Sequence, residues 1–119
     1  MNRKILLIDD EIAFLDGIKQ MLQLRNIEIS TANSWQTALS ILKHTEFEIV
    51  ITDILMPAID GIEVIVYLQT HFPDIKIIAI SGGGRISARD YLNIVKGFKL
   101  HGILEKPFSI DELIDMINF

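Results

Sequence analysis

The sequence predicts an α/β fold, a doubly wound sandwich in which helices cover both faces of a parallel β-sheet. Three observations support this fold class. Short apolar runs alternate with longer amphipathic segments along the chain, as expected for repeated strand–helix units. The apolar runs are mostly continuous, which is typical of strands that are buried on both faces. Polar residues directly follow several of these runs, so each strand has a clear carboxyl end.

Five apolar segments are predicted to be strands of one sheet. They are Ile5–Ile8, Ile27–Thr31, Ile49–Ile51, Ile75–Ile80 and His101–Leu104. The second is expected to be a weaker edge strand, because its apolar residues alternate with polar ones. The third leads into Asp53, and Pro57 is expected to end it because proline has no N–H for the ladder. The segment Asp60-Gly61 then turns the chain toward a helix.

Five further segments are predicted to be helices, over residues 12–24, 34–44, 62–70 and 87–98 and from 109 onward. Ser34 and Ser109 are the predicted N-caps of the second and the last helix. With right-handed crossovers, these strands and helices make a (βα)5 domain. The apolar positions expected to face inward are Leu15, Ile18, Leu22, Trp35, Ala38, Leu42, Ile62, Ile65, Val66, Tyr91, Leu92, Val95, Ile110, Leu113, Ile114 and Ile117.

The composition limits the classes of function. With 119 residues and no break in composition, we expect one domain over residues 1–119 and no output domain in this chain. Hydrophobic residues make up 50% of the chain, which argues against disorder. The net charge of −5, without a basic run, argues against direct nucleic-acid binding. Cysteine is absent, and no apolar run reaches the ~20 residues that cross a membrane, so we expect a cytoplasmic location.

Polar residues that follow the predicted strands form the candidate site. Asp9 and Asp10 follow the first strand, Asp53 the third, Ser81 the fourth and Lys106 the last. Because the carboxyl ends of parallel strands lie at one edge of the sheet, these side chains are expected to converge. Three neighbouring carboxylates repel one another, and Mg²⁺ relieves such repulsion by binding to oxygen ligands. Together with a lysine and a hydroxyl, Mg²⁺ makes a suitable receptor for a phosphoryl group.

The chain resembles the receiver domains of the two-component response-regulator family, over its whole length from Ile5. The matching motifs are Ile8-Asp9-Asp10-Glu11, Thr52-Asp53-Ile54-Leu55-Met56-Pro57, Asp60-Gly61, Ser81-Gly82 and Lys106-Pro107-Phe108. The resemblance implies a flavodoxin/CheY-like fold with its five strands in the order 2-1-3-4-5. It also implies a signalling switch, not an enzyme for outside substrates, that is phosphorylated by a histidine kinase or a histidine phosphotransfer protein. A downstream protein target and a homodimer are further partners that it allows.

The resemblance assigns the acidic residues to phosphorylation and to metal binding. Asp53 is implied to be the phosphoacceptor. Direct ligands of Mg²⁺ are implied to be Asp10, Asp53 and the backbone carbonyl of Leu55. Asp9 is implied to act mainly through a water bound to the metal.

The remaining site residues are implied to bind the phosphoryl group. Lys106 is implied to pair with Asp53 before phosphorylation and with the phosphoryl oxygens afterwards, while Ser81 moves to hydrogen-bond the phosphate. The Lys106–Pro107 peptide bond is commonly cis in the family. Two features depart from the family pattern. Ile103 stands where an aromatic residue often acts as part of the switch, and the run Gly82-Gly83-Gly84 after Ser81 is richer in glycine than in most members.

Three alternative functions stay open at the level of the sequence. A Mg²⁺-dependent aspartyl-phosphate phosphohydrolase would also use Asp53, but it generally needs a second acid two residues on, where this chain has Leu55. A flavodoxin-like cofactor carrier would need a phosphate-binding loop after the first strand, where Asp9 and Asp10 would repel the phosphate. A receiver-fold adaptor that is never phosphorylated is the third alternative, and Ile103 keeps it open.

Overall fold

The computed structural model describes residues 4–53, 55–56, 59–81 and 99–118. Its strands are β1 (Ile5–Ile8), β2 (Ser30–Ala32), β3 (Ile49–Asp53), β4 (Leu55–Met56), β5 (Ile59–Asp60), β6 (Lys76–Ser81) and β7 (Gly102–Glu105). Its helices are α1 (Ile12–Gln23), α2 (Trp35–His44), α3 (Gly61–His71) and α4 (Ile110–Ile117). The helix predicted over residues 87–98 lies outside the described residues. Within the described ranges, the helices are too short or too polar to cross a membrane.

Five of the strands form one parallel sheet in the order β2-β1-β3-β6-β7. Numbered among themselves along the chain, these strands have the order 2-1-3-4-5, so the predicted topology is confirmed. At the centre of the sheet, Leu7 lies opposite Ile51, and Ile51 lies opposite Ile78. The short strands β4 and β5 pair with each other, antiparallel, directly after β3. The carboxyl ends of β1, β3, β6 and β7 therefore share one edge of the sheet.

The hydrophobic core lies in two layers, one on each face of the sheet. Leu6 and Ile8 of β1 pack in the layer that includes α2 and α3, whereas Ile5 and Leu7 pack in the layer that includes α1 and α4. Successive side chains of a strand point to opposite faces, so a continuous apolar run supplies both layers. The prediction of a doubly covered sheet is confirmed.

Both predicted serine N-caps are confirmed. Ser34 Oγ accepts a hydrogen bond from the N–H of Thr37, and Ser109 Oγ accepts one from the N–H of Glu112, each at 3.1 Å. Each bond satisfies a backbone donor that the first turn of a helix would otherwise leave unpaired. These caps fix where α2 and α4 begin.

The start of the second strand was predicted wrongly. It lies at Ser30 instead of Ile27. The N–H of Ile27 is bonded to the carbonyl of Leu22 at 2.9 Å, where the chain leaves α1. A backbone group held by the end of a helix cannot also pair in the sheet.

The inward face of α3 was also predicted wrongly at one position. Val66 is 43% exposed, whereas Val64, Ile65 and Leu68 are fully buried. Val64, Ile65 and Leu68 are spaced by one, three and four positions, so their side chains share one face of the helix, which packs in the core. Val66 lies off this face and is therefore exposed to solvent.

Candidate functional site

Four predicted site residues lie at the carboxyl edge of the parallel sheet. Asp9 directly follows β1 and Asp53 is the last residue of β3. Ser81 is the last residue of β6, so it belongs to the strand instead of following it, and Lys106 directly follows β7. The sheet topology therefore brings residues from distant parts of the chain to one place.

The ammonium group of Lys106 lies beside two buried carboxylates. Lys106 Nζ donates hydrogen bonds to Asp9 Oδ2 at 3.0 Å and to Asp53 Oδ2 at 3.4 Å, and Glu11 Oε1 lies 4.0 Å away. The Lys106 side chain is 21% exposed, that of Asp53 is 9% exposed, and that of Asp9 is fully buried. The backbone N–H of Lys106 donates to the carbonyl of Ser81 at 2.7 Å, which ties the lysine to the end of β6. Buried charges need such partners.

Opposing influences act on the pKa of Lys106. Burial lowers it, whereas the hydrogen bond and charge of Asp9, followed by those of Asp53, raise it. The net result is a pKa above the ordinary value of 10.5. Lys106 therefore carries its positive charge at neutral pH and can neutralise carboxylate or phosphoryl oxygens.

Asp9, Asp10 and Asp53 form an acidic cluster at this edge. Each offers one carboxylate oxygen, and these oxygens all lie within 4.8 Å of one another. Asp10 is exposed, whereas Asp9 Oδ1 already accepts the N–H of Glu11 at 2.9 Å. Such an all-oxygen donor set, open to water on one side, fits Mg²⁺. Leu55, whose carbonyl is a further implied ligand, lies in β4 two residues after Asp53, and its role stays a prediction.

Ser81 Oγ is buried and has no hydrogen-bond partner in the part of the chain that the structure describes. A buried hydroxyl without a partner costs roughly 1–3 kcal/mol. Buried polar groups of folded proteins are nearly always paired. The hydroxyl is therefore suited to a polar group that arrives at the site, such as a phosphoryl oxygen.

Two further features of β7 and its end relate to the family pattern. The Lys106–Pro107 peptide bond is cis, as the resemblance implies. Ile103 is partly buried and packs against the core layer of α2 and α3. An aliphatic contact therefore occupies the position where the family often has an aromatic residue.

Two further residues contact the site lysine: Glu11, which the sequence motif includes without a role at the site, and Phe14, which the sequence pattern assigns only to packing. The ring centroid of Phe14 lies 4.1 Å from Lys106 Nζ. Phe14 also packs edge-on against Phe108, with ring centroids 6.0 Å apart and planes at 86°. The available signal was proximity along the chain, since Phe14 lies four residues after Asp10 and Phe108 two after Lys106. The apolar pattern alone assigns both rings to packing.

Comparison with known proteins places this geometry in a family. The sequence matches the family model of the response regulator receiver domain over residues 5–118. It is 28% identical over 122 residues to the probable transcriptional regulator ycf29 of Pyropia yezoensis, covering 99% of this chain and 53% of that protein. It is 35% identical over 116 residues to the sensor kinase CckA of Brucella abortus (strain 2308), covering 96% of this chain and 12% of the kinase.

A solved structure agrees with these sequence matches. A response regulator receiver domain protein from Clostridium thermocellum superposes with a TM-score of 0.84 at 30% identity, covering 98% of this chain and 91% of that one. The chain spans about half or less of the curated relatives above, 53% of one and 12% of the other, so the match concerns a domain that they contain. Since the family model covers residues 5–118, the chain belongs to the response regulator receiver domain family.

Proposed function

We propose that this receiver domain accepts a phosphoryl group on Asp53 and that phosphorylation switches its contacts with other proteins. The observation that carries the proposal is the position of Lys106 Nζ, 3.0 Å from Asp9 Oδ2 and 3.4 Å from Asp53 Oδ2. A fixed cation beside the acceptor carboxylate is ready to neutralise the charge that a phosphoryl group brings. The hydroxyl of Ser81, buried at the same sheet edge and without a hydrogen-bond partner among the described residues, supports the same proposal.

In the proposed reaction, a carboxylate oxygen of Asp53 attacks the phosphorus of a phosphohistidine on the donor protein. A P–O bond forms and the P–N bond breaks. The leaving imidazole nitrogen keeps the electron pair of that bond and is protonated from water. Lys106 balances negative charge on the phosphoryl oxygens, and the Ser81 hydroxyl donates a hydrogen bond to one of them. Catalysis of this kind depends on positioning and charge, and the product is an aspartyl phosphate.

We propose that Asp9, Asp10, Asp53 and the carbonyl of Leu55 hold Mg²⁺. When bound, Mg²⁺ supplies positive charge to the phosphoryl oxygens and a fixed orientation for in-line transfer. The cluster of carboxylate oxygens within 4.8 Å supports this assignment. The carboxylate of Asp9 is already bonded to Lys106 and to the Glu11 N–H. We therefore assign Asp9 an indirect contact with the metal through water, and the exposed Asp10 a direct one.

The proposed donors are a histidine kinase or a histidine phosphotransfer protein. Phosphohistidine is formed with ATP, so we also infer a cytoplasmic location. We propose a single receiver domain over residues 1–119 that catalyses only its own phosphorylation and dephosphorylation. The presence of Leu55 supports this, because a phosphohydrolase of this kind generally needs a second acid, often at that position.

Phosphorylation by a small donor tests the proposal. The 119-residue chain is incubated with Mg²⁺ and acetyl phosphate, and the protein is followed by intact-mass measurement. We expect one base-labile phosphoryl group per chain, which is lost in Asp53→Asn. The matched control Asp74→Asn, an exposed aspartate in the turn before β6, is expected to react like the wild type.

Two results would contradict the proposal. One is a folded Asp53→Asn protein that still acquires the same base-labile group. The other is multiple-turnover release of phosphate from small phosphoesters, which would indicate a phosphohydrolase.

A further inference from the structure

We infer that Phe14 is a positioning residue that holds the ammonium group of Lys106 against Asp9 and Asp53. The inference deepens the proposed function, because it rests on Lys106 acting in phosphorylation of Asp53. It assigns a role to a ring that hydrophobic patterning would count only as core.

The Phe14 ring contacts the ammonium group of Lys106. Lys106 Nζ lies 4.1 Å from the centroid of the Phe14 ring, well inside the ≈ 6 Å range in which the face of an aromatic ring attracts a cation. The same ammonium group is bonded to Asp9 and Asp53. Its surroundings therefore include two acceptors and one aromatic ring.

The Phe14 ring is itself held in place by its neighbours. Phe14 precedes Leu15, which is buried in α1, and it packs edge-on against Phe108 with centroids 6.0 Å apart. Edge-to-face pairs of this kind are a preferred geometry for aromatic side chains. Phe108 lies two residues after Lys106, so the second ring and the lysine belong to one short segment.

The ammonium group of Lys106 has a competing partner in Glu11. The carboxylate of Glu11 lies 4.0 Å from Lys106 Nζ and its side chain is exposed. A lysine side chain is long and flexible, and fixing it costs considerable rotamer entropy. A ring over the ammonium restricts it to the position that serves Asp53. Leucine in place of Phe14 would keep apolar bulk but would lose the attraction to the cation.

The rate of Asp53 phosphorylation tests this role. With acetyl phosphate and saturating Mg²⁺, we expect Phe14→Leu to react roughly two- to fivefold more slowly than the wild type, given the strength of partly exposed cation–π contacts. Phe14→Tyr keeps the aromatic face and is expected to keep the rate. Phe72→Leu is the matched control, since Phe72 is a partly buried ring in the opposite core layer, and its rate should not change.

A double-mutant cycle separates positioning from packing. The urea unfolding constant is measured without Mg²⁺ for the wild type, Phe14→Leu, Lys106→Met and the double variant. We expect Phe14→Leu to raise the unfolding constant roughly two- to fivefold more when Lys106 is present than in the Lys106→Met background. If Phe14→Leu does not fold, Phe14→Met takes its place in both experiments.

Equal effects of the Phe14 substitution in both backgrounds would overturn the inference, as would Phe14→Tyr reacting as slowly as Phe14→Leu. A wild-type chain that is not phosphorylated on Asp53 would instead contradict the proposed function. The unfolding cycle would still decide whether the ring holds the ammonium, so the two failures are distinguishable.

Discussion

At the scale of single residues, the charge balance of the site depends on Lys106. Its ammonium is bonded to Asp9 and Asp53, and Asp10 brings a third carboxylate to within 4.8 Å of those two. Removing the lysine would leave these carboxylates without the cation between them. We therefore expect Lys106 to stabilise the metal-free protein as well as to serve its phosphorylation.

We predict that Lys106→Met lowers the free energy of unfolding by about 1–3 kcal/mol at neutral pH without Mg²⁺, between the values for exposed and buried ion pairs. The pKa of Lys106 is raised in the folded state above 10.5. The contribution of Lys106 to the free energy of unfolding is therefore complete when the pH is below the pKa of the unfolded state. It is lost as the pH rises through the higher pKa of the folded state. Urea unfolding of both proteins should show a constant difference from neutral pH to about 10.5 and a shrinking difference above it.

The matched control for this prediction is Lys99→Met, an exposed lysine outside the helices. It should leave the unfolding free energy nearly unchanged across the same range. A wild-type advantage over Lys106→Met that already declines near neutral pH would contradict the assignment.

At the scale of elements, local chemistry predicted some boundaries and missed others. The caps at Ser34 and Ser109 were predictable, because a cap depends on a hydrogen bond to a residue three positions away. The start of β2 was not predictable, because the alternating pattern from Ile27 is equally compatible with a strand. The hydrogen bond from the N–H of Ile27 to the carbonyl of Leu22 depends on the path that the chain takes as it leaves α1. The strand and helix propensities of the residues do not determine that path.

Two glycines in different elements should respond oppositely to alanine. A Cβ at Gly17, in α1, would meet nothing within 4 Å, so Gly17→Ala should raise the free energy of unfolding by up to about 1 kcal/mol through helix propensity. A Cβ at Gly102, in β7, would press on Met116 Sδ and lie 2.9 Å from its Cγ. Because Met116 must then move within a packed layer, Gly102→Ala should cost about 1–3 kcal/mol. Urea unfolding of the two variants checks both signs, and equal effects would contradict the packing described here.

At the scale of the whole molecule, the position of the site followed from the fold class. Asp9, Asp53, Ser81 and Lys106 could be assigned to one edge from the sequence, because parallel strands have a common direction. The contact of Phe14 with Lys106 could not be assigned, because it depends on the packing of a helix against a distant loop. Sheet topology thus predicts which residues meet, whereas side-chain contacts between non-neighbouring elements need coordinates.

Binding of Mg²⁺ should stabilise the whole domain through the acidic cluster. At a concentration 100-fold above its dissociation constant, Mg²⁺ should raise the free energy of unfolding by about 2.7 kcal/mol. Asp10→Asn should gain much less from Mg²⁺. Without metal, the Asp10→Asn variant should be more stable than the wild type by about 1 kcal/mol. The substitution removes the repulsion of the Asp10 carboxylate with those of Asp9 and Asp53, and this repulsion is weakened by nearby water. Thermal unfolding in EDTA and in Mg²⁺ measures both effects.

Asp16→Asn, an exposed aspartate on α1, is the control for the metal prediction and should behave like the wild type. An equal gain from Mg²⁺ in wild type and Asp10→Asn would contradict the proposed ligand set.

The bond between Lys106 and Asp9 joins residues that are 97 positions apart in the chain. During synthesis, the first aspartates leave the ribosome long before the lysine does. A nascent chain that ends before Lys106 therefore carries the carboxylates of Asp9 and Asp53 without the ammonium group that they contact in the folded domain. We therefore expect the carboxyl edge of the sheet to reach its charge balance only after β7 and Lys106 have been translated and docked.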